Sequence, residues 1–112
     1  IYRSKLKAVN MHTGDIGELL PGITEELPGK CLAYVDGNHH YGPTMEYLDH
    51  LLAKAGDEAV IVLDDIYWSR GMQRAWQEII NRPEVRVSID LFHMGILLLR
   101  RDLNRARLKI KF

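Results

Sequence analysis

Two short apolar runs, each closed by acids, constrain this chain more than any other feature. They are "CLAYVD" at 31–36 and "EAVIVLDD" at 58–65. Each has strand length and falls short of a helix. Their near-continuous apolar character predicts strands buried on both faces, as in a parallel sheet flanked by helices. Between them, Gly42 and Pro43 open a helix, because proline suits the first helical turn. Met45, Leu48, Leu51, Leu52 and Ala55 form its apolar stripe, and Gly56 suits its end. Strand, helix, strand is the right-handed crossover unit of α/β proteins.

The remaining segments extend that unit. Positions 8–13, "AVNMHT", alternate and read as a short strand. Asp15 and Glu18 resemble a capping box for a weak helix that Gly17, Pro21 and Gly22 oppose, ending near 27–29. Ser69 caps a further helix carrying Met72, Ala75, Trp76, Ile79 and Ile80, which stops before Pro83. Runs at 85–92 and 94–101, turning at His93, Met94 and Gly95, predict an antiparallel hairpin. "RLKIKF" at 107–112 predicts a basic edge strand. The expected fold is α/β: one domain over 1–112, a mostly parallel sheet with an antiparallel C-terminal hairpin, and helices on both faces.

Composition narrows the function. The 15 Lys and Arg balance the 15 Asp and Glu, which disfavours a non-specific nucleic-acid binder. No apolar stretch reaches a membrane span, so neither nucleic acid nor membrane is an expected partner, and the expected setting is the cytoplasm. One cysteine, Cys31, allows no internal disulfide and reads as a core thiol.

Ligands of open α/β sheets bind beyond the carboxyl ends of the strands. If the two acid-ended strands are neighbours, Asp36, Asp64 and Asp65 converge on one rim. Such a cluster repels itself unless a cation is present, and a hard divalent ion such as Mg²⁺ suits oxygen ligands. Each acid alone reads equally well as a turn former or a helix cap. His39 stands close enough to act as a general base, whereas His40 reads as solvent-facing. Tyr41, Tyr67 and Trp68 flank the rim and are candidate walls of a substrate pocket. Tyr34 and Trp76 read as packing residues.

"YVDGNHHY", then "VIVLDDIYW", a helix and "IDLFHMGILLL" resemble the C-terminal half of class I S-adenosylmethionine-dependent methyltransferases, bacterial O-methyltransferase-like proteins above all. Asp36, Gly37, His39 and Tyr41 fall on a "DG-x-H-x-Y" stretch, and the resemblance runs from about residue 8 to the end. It implies a partial Rossmann-like sheet, strand order 3-2-1-4-5-7-6, with the strands here being the third onward. It implies metal ligation by Asp36, Asp64 and Asp65, although Asn is common where Asp65 stands. Gly14 and Asp15 resemble the loop near the cofactor adenine, and Asp36 borders the cofactor as well. The family's "GxGxG"-type loop is missing from the sequence, as is the acid that holds the ribose. The resemblance therefore implies a portion of a methyltransferase lacking its N-terminal glycine-rich part, with little affinity for S-adenosylmethionine by itself.

The expected activity is methyl transfer to a small-molecule hydroxyl, with the acids holding a metal and His39 taking the proton. A metal-dependent phosphoesterase and a non-catalytic dimerising module are the alternatives. Without its family neighbour, the 31–35 strand would be an open apolar edge, which predicts a homodimer paired there.

Overall fold

The structure, a computed structural model, describes residues 31–36 and 40–111. The strand expected at 8–13 and the helix expected from Asp15 lie outside the described residues. Those described form β1 (Leu32–Val35), α1 (Tyr41–Lys54), β2 (Val60–Asp64), α2 (Arg70–Ile79), β3 (Val87–Asp90), β4 (Met94–Leu98) and β5 (Ala106–Lys109). The sheet order is β1-β2-β4-β3-β5. β1 runs parallel to β2, β3 runs parallel to β5, and β4 is antiparallel to both its neighbours. The expected α/β fold with an antiparallel hairpin is therefore present, but the described sheet is half parallel rather than mostly parallel, because β4 is reversed against both its neighbours. The first four strands lie in the implied order 4-5-7-6. The hairpin's second strand slots between β2 and β3, so one reversed strand joins two parallel pairs.

Local chemistry explains the helices. Thr44 N–H reaches the His40 carbonyl at 3.1 Å, which starts α1 and leaves Pro43 in the first turn, where its missing donor costs nothing. Thr44, Tyr47, Leu48, Leu51 and Leu52 are buried along one stripe. Ser69 caps α2 as its sequence predicts: its hydroxyl accepts from Met72 N–H at 3.1 Å. Met72, Ala75, Trp76 and Ile79 face inward.

The register sorts the sheet into two faces. Ala33, Ile61 and Leu97 are direct neighbours across three strands, and so are Val35, Leu63 and Gly95. These rows face the helices and join Leu48, Leu51, Trp76 and Ile79 in one core. Trp76 lies so close over Gly95 that a Cβ there would overlap its ring, so only glycine fits. Tyr34, Val62, Ile96, Ile89 and Leu108 form a row on the opposite face. Among the described residues, helices cover one face only. The crossovers β1–α1–β2 and β2–α2–β3 advance in the same direction across the sheet, and right-handedness then puts both helices on the same side.

Three local expectations are corrected. β1 is not buried on both faces: Leu32 is 70% exposed and Tyr34 54%, whereas β2 is buried from Ile61 to Leu63. The reason is position, since β1 has one strand neighbour among the described residues and β2 has two. The hairpin turn is Leu91–His93, with Met94 and Gly95 already paired in β4. Asp90 draws the turn forward by accepting Phe92 N–H at 2.8 Å, ending β3 two residues early. The last strand covers 106–109 rather than 107–112.

Candidate active site

The last pair of the parallel β1–β2 ladder is Val35 with Leu63. One residue further, Asp36 and Asp64 stand side by side at the carboxyl rim. Asp65 follows in a left-handed conformation, φ 54°, that turns the chain back toward the same point. The result is a cluster in which one carboxylate oxygen from each of Asp36, Asp64 and Asp65 lies within 4.8 Å of the others. Asp36 is exposed and the other two are half-buried. Repulsion between two such charges is on the order of 1–4 kcal/mol between water-like and protein-like dielectric. A cation would relieve it, and three carboxylates are the hard oxygen donors that Mg²⁺ or Ca²⁺ takes.

The left-handed φ of Asp65 bears on its identity. Asn and Asp are the non-glycine residues that most readily adopt it. Asp therefore meets the same backbone demand that an Asn would meet, and adds a charge.

Tyr34 belongs to this rim, contrary to the packing role its sequence suggests. It shares a strand face with Asp36, two residues on, and its hydroxyl hydrogen-bonds to Asp64. Desolvation of the phenol, then the charges of Asp64 and Asp36, hold its pKa above the ordinary value. The alternation of "CLAYVD" carried the signal, because it puts positions 32, 34 and 36 on one side.

The expected pocket walls divide. Tyr41 packs on α2, with the Arg74 guanidinium 4.2 Å over its ring and its hydroxyl bonded to Glu78, which raises its pKa. Trp68 is 68% exposed beside the acids. Tyr67 donates to the buried carboxylate of Asp90, the main cause of its raised pKa, and stacks on Phe92 with ring centroids 5.2 Å apart. His93 ties the hairpin turn to the acid loop: its carbonyl accepts Asp65 N–H at 2.8 Å. His39, Gly14 and Asp15 lie outside the described residues. His40 is exposed at the head of α1.

A family model described as a methyltransferase domain matches residues 3–66, more than half of the 112 residues. The chain belongs to that family. The match takes in β1, α1, β2 and all three acids, and it ends at Ile66, before α2 and the hairpin. No curated protein and no solved structure gave a match. Membership of the methyltransferase-domain family carries methyl transfer as the general activity and S-adenosylmethionine as the methyl donor the family uses.

The described residues fit the two groups unequally. The acid cluster has the donor chemistry of a hard-cation site. For the methyl donor, the sequence holds no glycine-rich "GxGxG" loop, and Gly14 and Asp15 are not described. The described residues make no cradle for it. No described helix is long and apolar enough to cross a membrane.

Proposed function

We propose that this methyltransferase domain serves O-methylation of a small cytoplasmic molecule, with a divalent ion held by Asp36, Asp64 and Asp65. The observation that carries the reading is the convergence of three carboxylate oxygens within 4.8 Å at the rim. A bound Mg²⁺ would lower the pKa of the acceptor hydroxyl and fix its position. The chain's own residues do the rest. Asp64 keeps Tyr34 hydrogen-bonded beside the cluster, and His39 receives the proton as general base. Trp68, 68% exposed and three residues after Asp65, offers flat apolar surface suited to excluding water from one side of the acceptor. Holding the acceptor oxygen in line with the methyl carbon is the largest contribution expected of such a site, several kcal/mol.

Donor binding, in this reading, needs a glycine-rich part that the sequence does not contain. The chain alone therefore binds S-adenosylmethionine poorly, and a calorimetric titration with micromolar affinity would contradict that. Where the chain stands beside a glycine-rich donor-binding part, Asp64→Asn abolishes metal-stimulated methyl transfer. Turnover unchanged by Asp64→Asn, or by chelator, sinks the metal-assisted version.

The exposed Leu32 and Tyr34 on β1 support self-association at that edge. A second copy pairing along β1 would cover both. Light scattering at rising concentration is expected to show a dimer that Leu32→Lys dissociates, and a monomer throughout contradicts the pairing.

A further inference from the structure

Phe92 occupies a position that disfavours phenylalanine twice. Its φ is 70°, a left-handed value that suits glycine or asparagine. Its side chain is 57% exposed, so little core burial offsets the strain. The conformation is nonetheless held from several sides. His93 N–H reaches back to the Leu91 carbonyl at 2.8 Å, closing a three-residue γ-turn around Phe92, the rare variety with positive φ. Leu91 N–H bonds the Met94 carbonyl at 2.9 Å. The Asp90 carboxylate, 7% exposed, accepts Phe92 N–H with one oxygen and the Tyr67 hydroxyl with the other.

This framework fixes a ring rather than a backbone alone. Tyr67 stacks on one face of Phe92, with centroids 5.2 Å apart and planes 19° from parallel. The His93 ring meets it edge-on at 5.1 Å and 83°. Lys109 Nζ stands 5.6 Å from the Tyr67 centroid, so a cation and two rings are gathered at this corner. With Tyr67 on one face and over half its surface exposed, Phe92 keeps apolar area for one more flat group. Its immediate neighbour, His93, is hydrogen-bonded to Asp65 of the acid cluster.

We infer that Phe92 is a specificity-determining residue of the acceptor site: a fixed platform on which a planar, unsaturated ring of the acceptor stacks. The inference rests on the acceptor site proposed above. It deepens that reading by naming the acceptor class as ring compounds rather than sugars or other saturated alcohols. Strain kept at an exposed aromatic is the expected mark of a binding position, because folding alone gains little from it. Asp90 and Tyr67 are positioning residues, acting through Phe92.

The test needs neither methyl donor nor metal. 2-Naphthol and its saturated counterpart decahydro-2-naphthol are titrated into the isotope-labelled chain, following the Asp65, Phe92 and His93 amides by NMR. The two probes share size and hydroxyl and differ in the π-system. The naphthol is expected to bind about tenfold more tightly than the saturated alcohol. Phe92→Tyr keeps that preference, and Phe92→Gly removes it without lowering the thermal midpoint, since glycine suits the backbone. Phe92→Asn, which also tolerates the left-handed turn, gives the same loss. Equal binding of the two alcohols, no binding of either, or a preference that survives Phe92→Gly overturns the inference. Methyl transfer to saturated alcohols alone would also overturn it while leaving the proposed chemistry intact. Absence of methyl transfer with the ring preference present would count against the chemistry and not the platform.

Discussion

One residue separates two regions of opposite character. On the helix side of the sheet, Val35, Leu63 and Gly95 lie abreast beneath Trp76, and every feature serves packing. A step further along, Asp36 and Asp64 lie abreast with Met94 next to Asp64, and the features resist packing: clustered charge, left-handed φ at Asp65 and Phe92, exposed rings at Tyr34, Trp68 and Phe92. The two regions share strands, so the difference is one of purpose. The seam gives the rim a rigid base, and the rim carries features that make no sense as contributions to stability. Substitutions should therefore separate cleanly, lowering stability in the seam and changing ligand behaviour at the rim.

The largest effect is expected at Trp76, 2% exposed and central to the core. Trp76→Ala should cost about 3–5 kcal/mol in urea unfolding. Gly95→Ala comes next, at about 1–3 kcal/mol, because its methyl overlaps the indole. In the double variant the methyl finds space where the ring was, so the two costs should fall short of adding. Additive costs would show that the ring and Gly95 are not coupled, and the contrast between seam and rim would blur.

Asp65→Gly sharpens the comparison from the other side. Glycine fits φ 54°, so stability should stay within about 1 kcal/mol while cation binding weakens. A loss as large as that in the seam would place Asp65 among the packing residues.

A smaller effect concerns proton binding. The Asp90 hydrogen bond, then desolvation, raise the Tyr67 phenol above its ordinary pKa. The neutral phenol is thus favoured in the folded state. Its contribution to stability is full below the unfolded phenol pKa of about 10 and is lost as pH climbs through the raised folded value. Absorbance titration of phenolate should show one tyrosine moving back toward the ordinary range in Asp90→Asn. The smallest effect is expected at the exposed pair Arg100–Asp102, where Arg100→Gln should leave the unfolding midpoint unchanged.

Much of this was legible in the sequence, for reasons of locality. Ser69 caps its own helix, and the stripes of α1 and α2 follow helical spacing, so no distant contact was needed to read them. The acid cluster was legible because two similar runs in a crossover unit become parallel neighbours, and parallel register carries their ends to one place. What escaped depends on partners far along the chain. Tyr41 reads as a rim residue until Arg74 and Glu78 claim it. The hairpin turn reads two residues late because Leu91 continues the alternation of "VRVSIDLF" and Phe92 prolongs the apolar run. The strand stops at Asp90, whose carboxylate accepts both Phe92 N–H and the hydroxyl of Tyr67, 23 residues away. Tyr34 reads as core because edge position is a property of the sheet. The Asp65 turn shows the converse: a residue that looks like a departure from the family pattern answers the same backbone need.

On the reading proposed above, the rim acids form a cation site on the acceptor side of a methyltransferase domain. Calorimetric titration of the metal-free chain with Mn²⁺ tests it most directly, beside Asp64→Asn and a surface control, Asp49→Asn. Binding of one ion per chain, lost in Asp64→Asn and retained in Asp49→Asn, is the expected result. No saturable binding, or binding that Asp64→Asn leaves intact, would contradict the account.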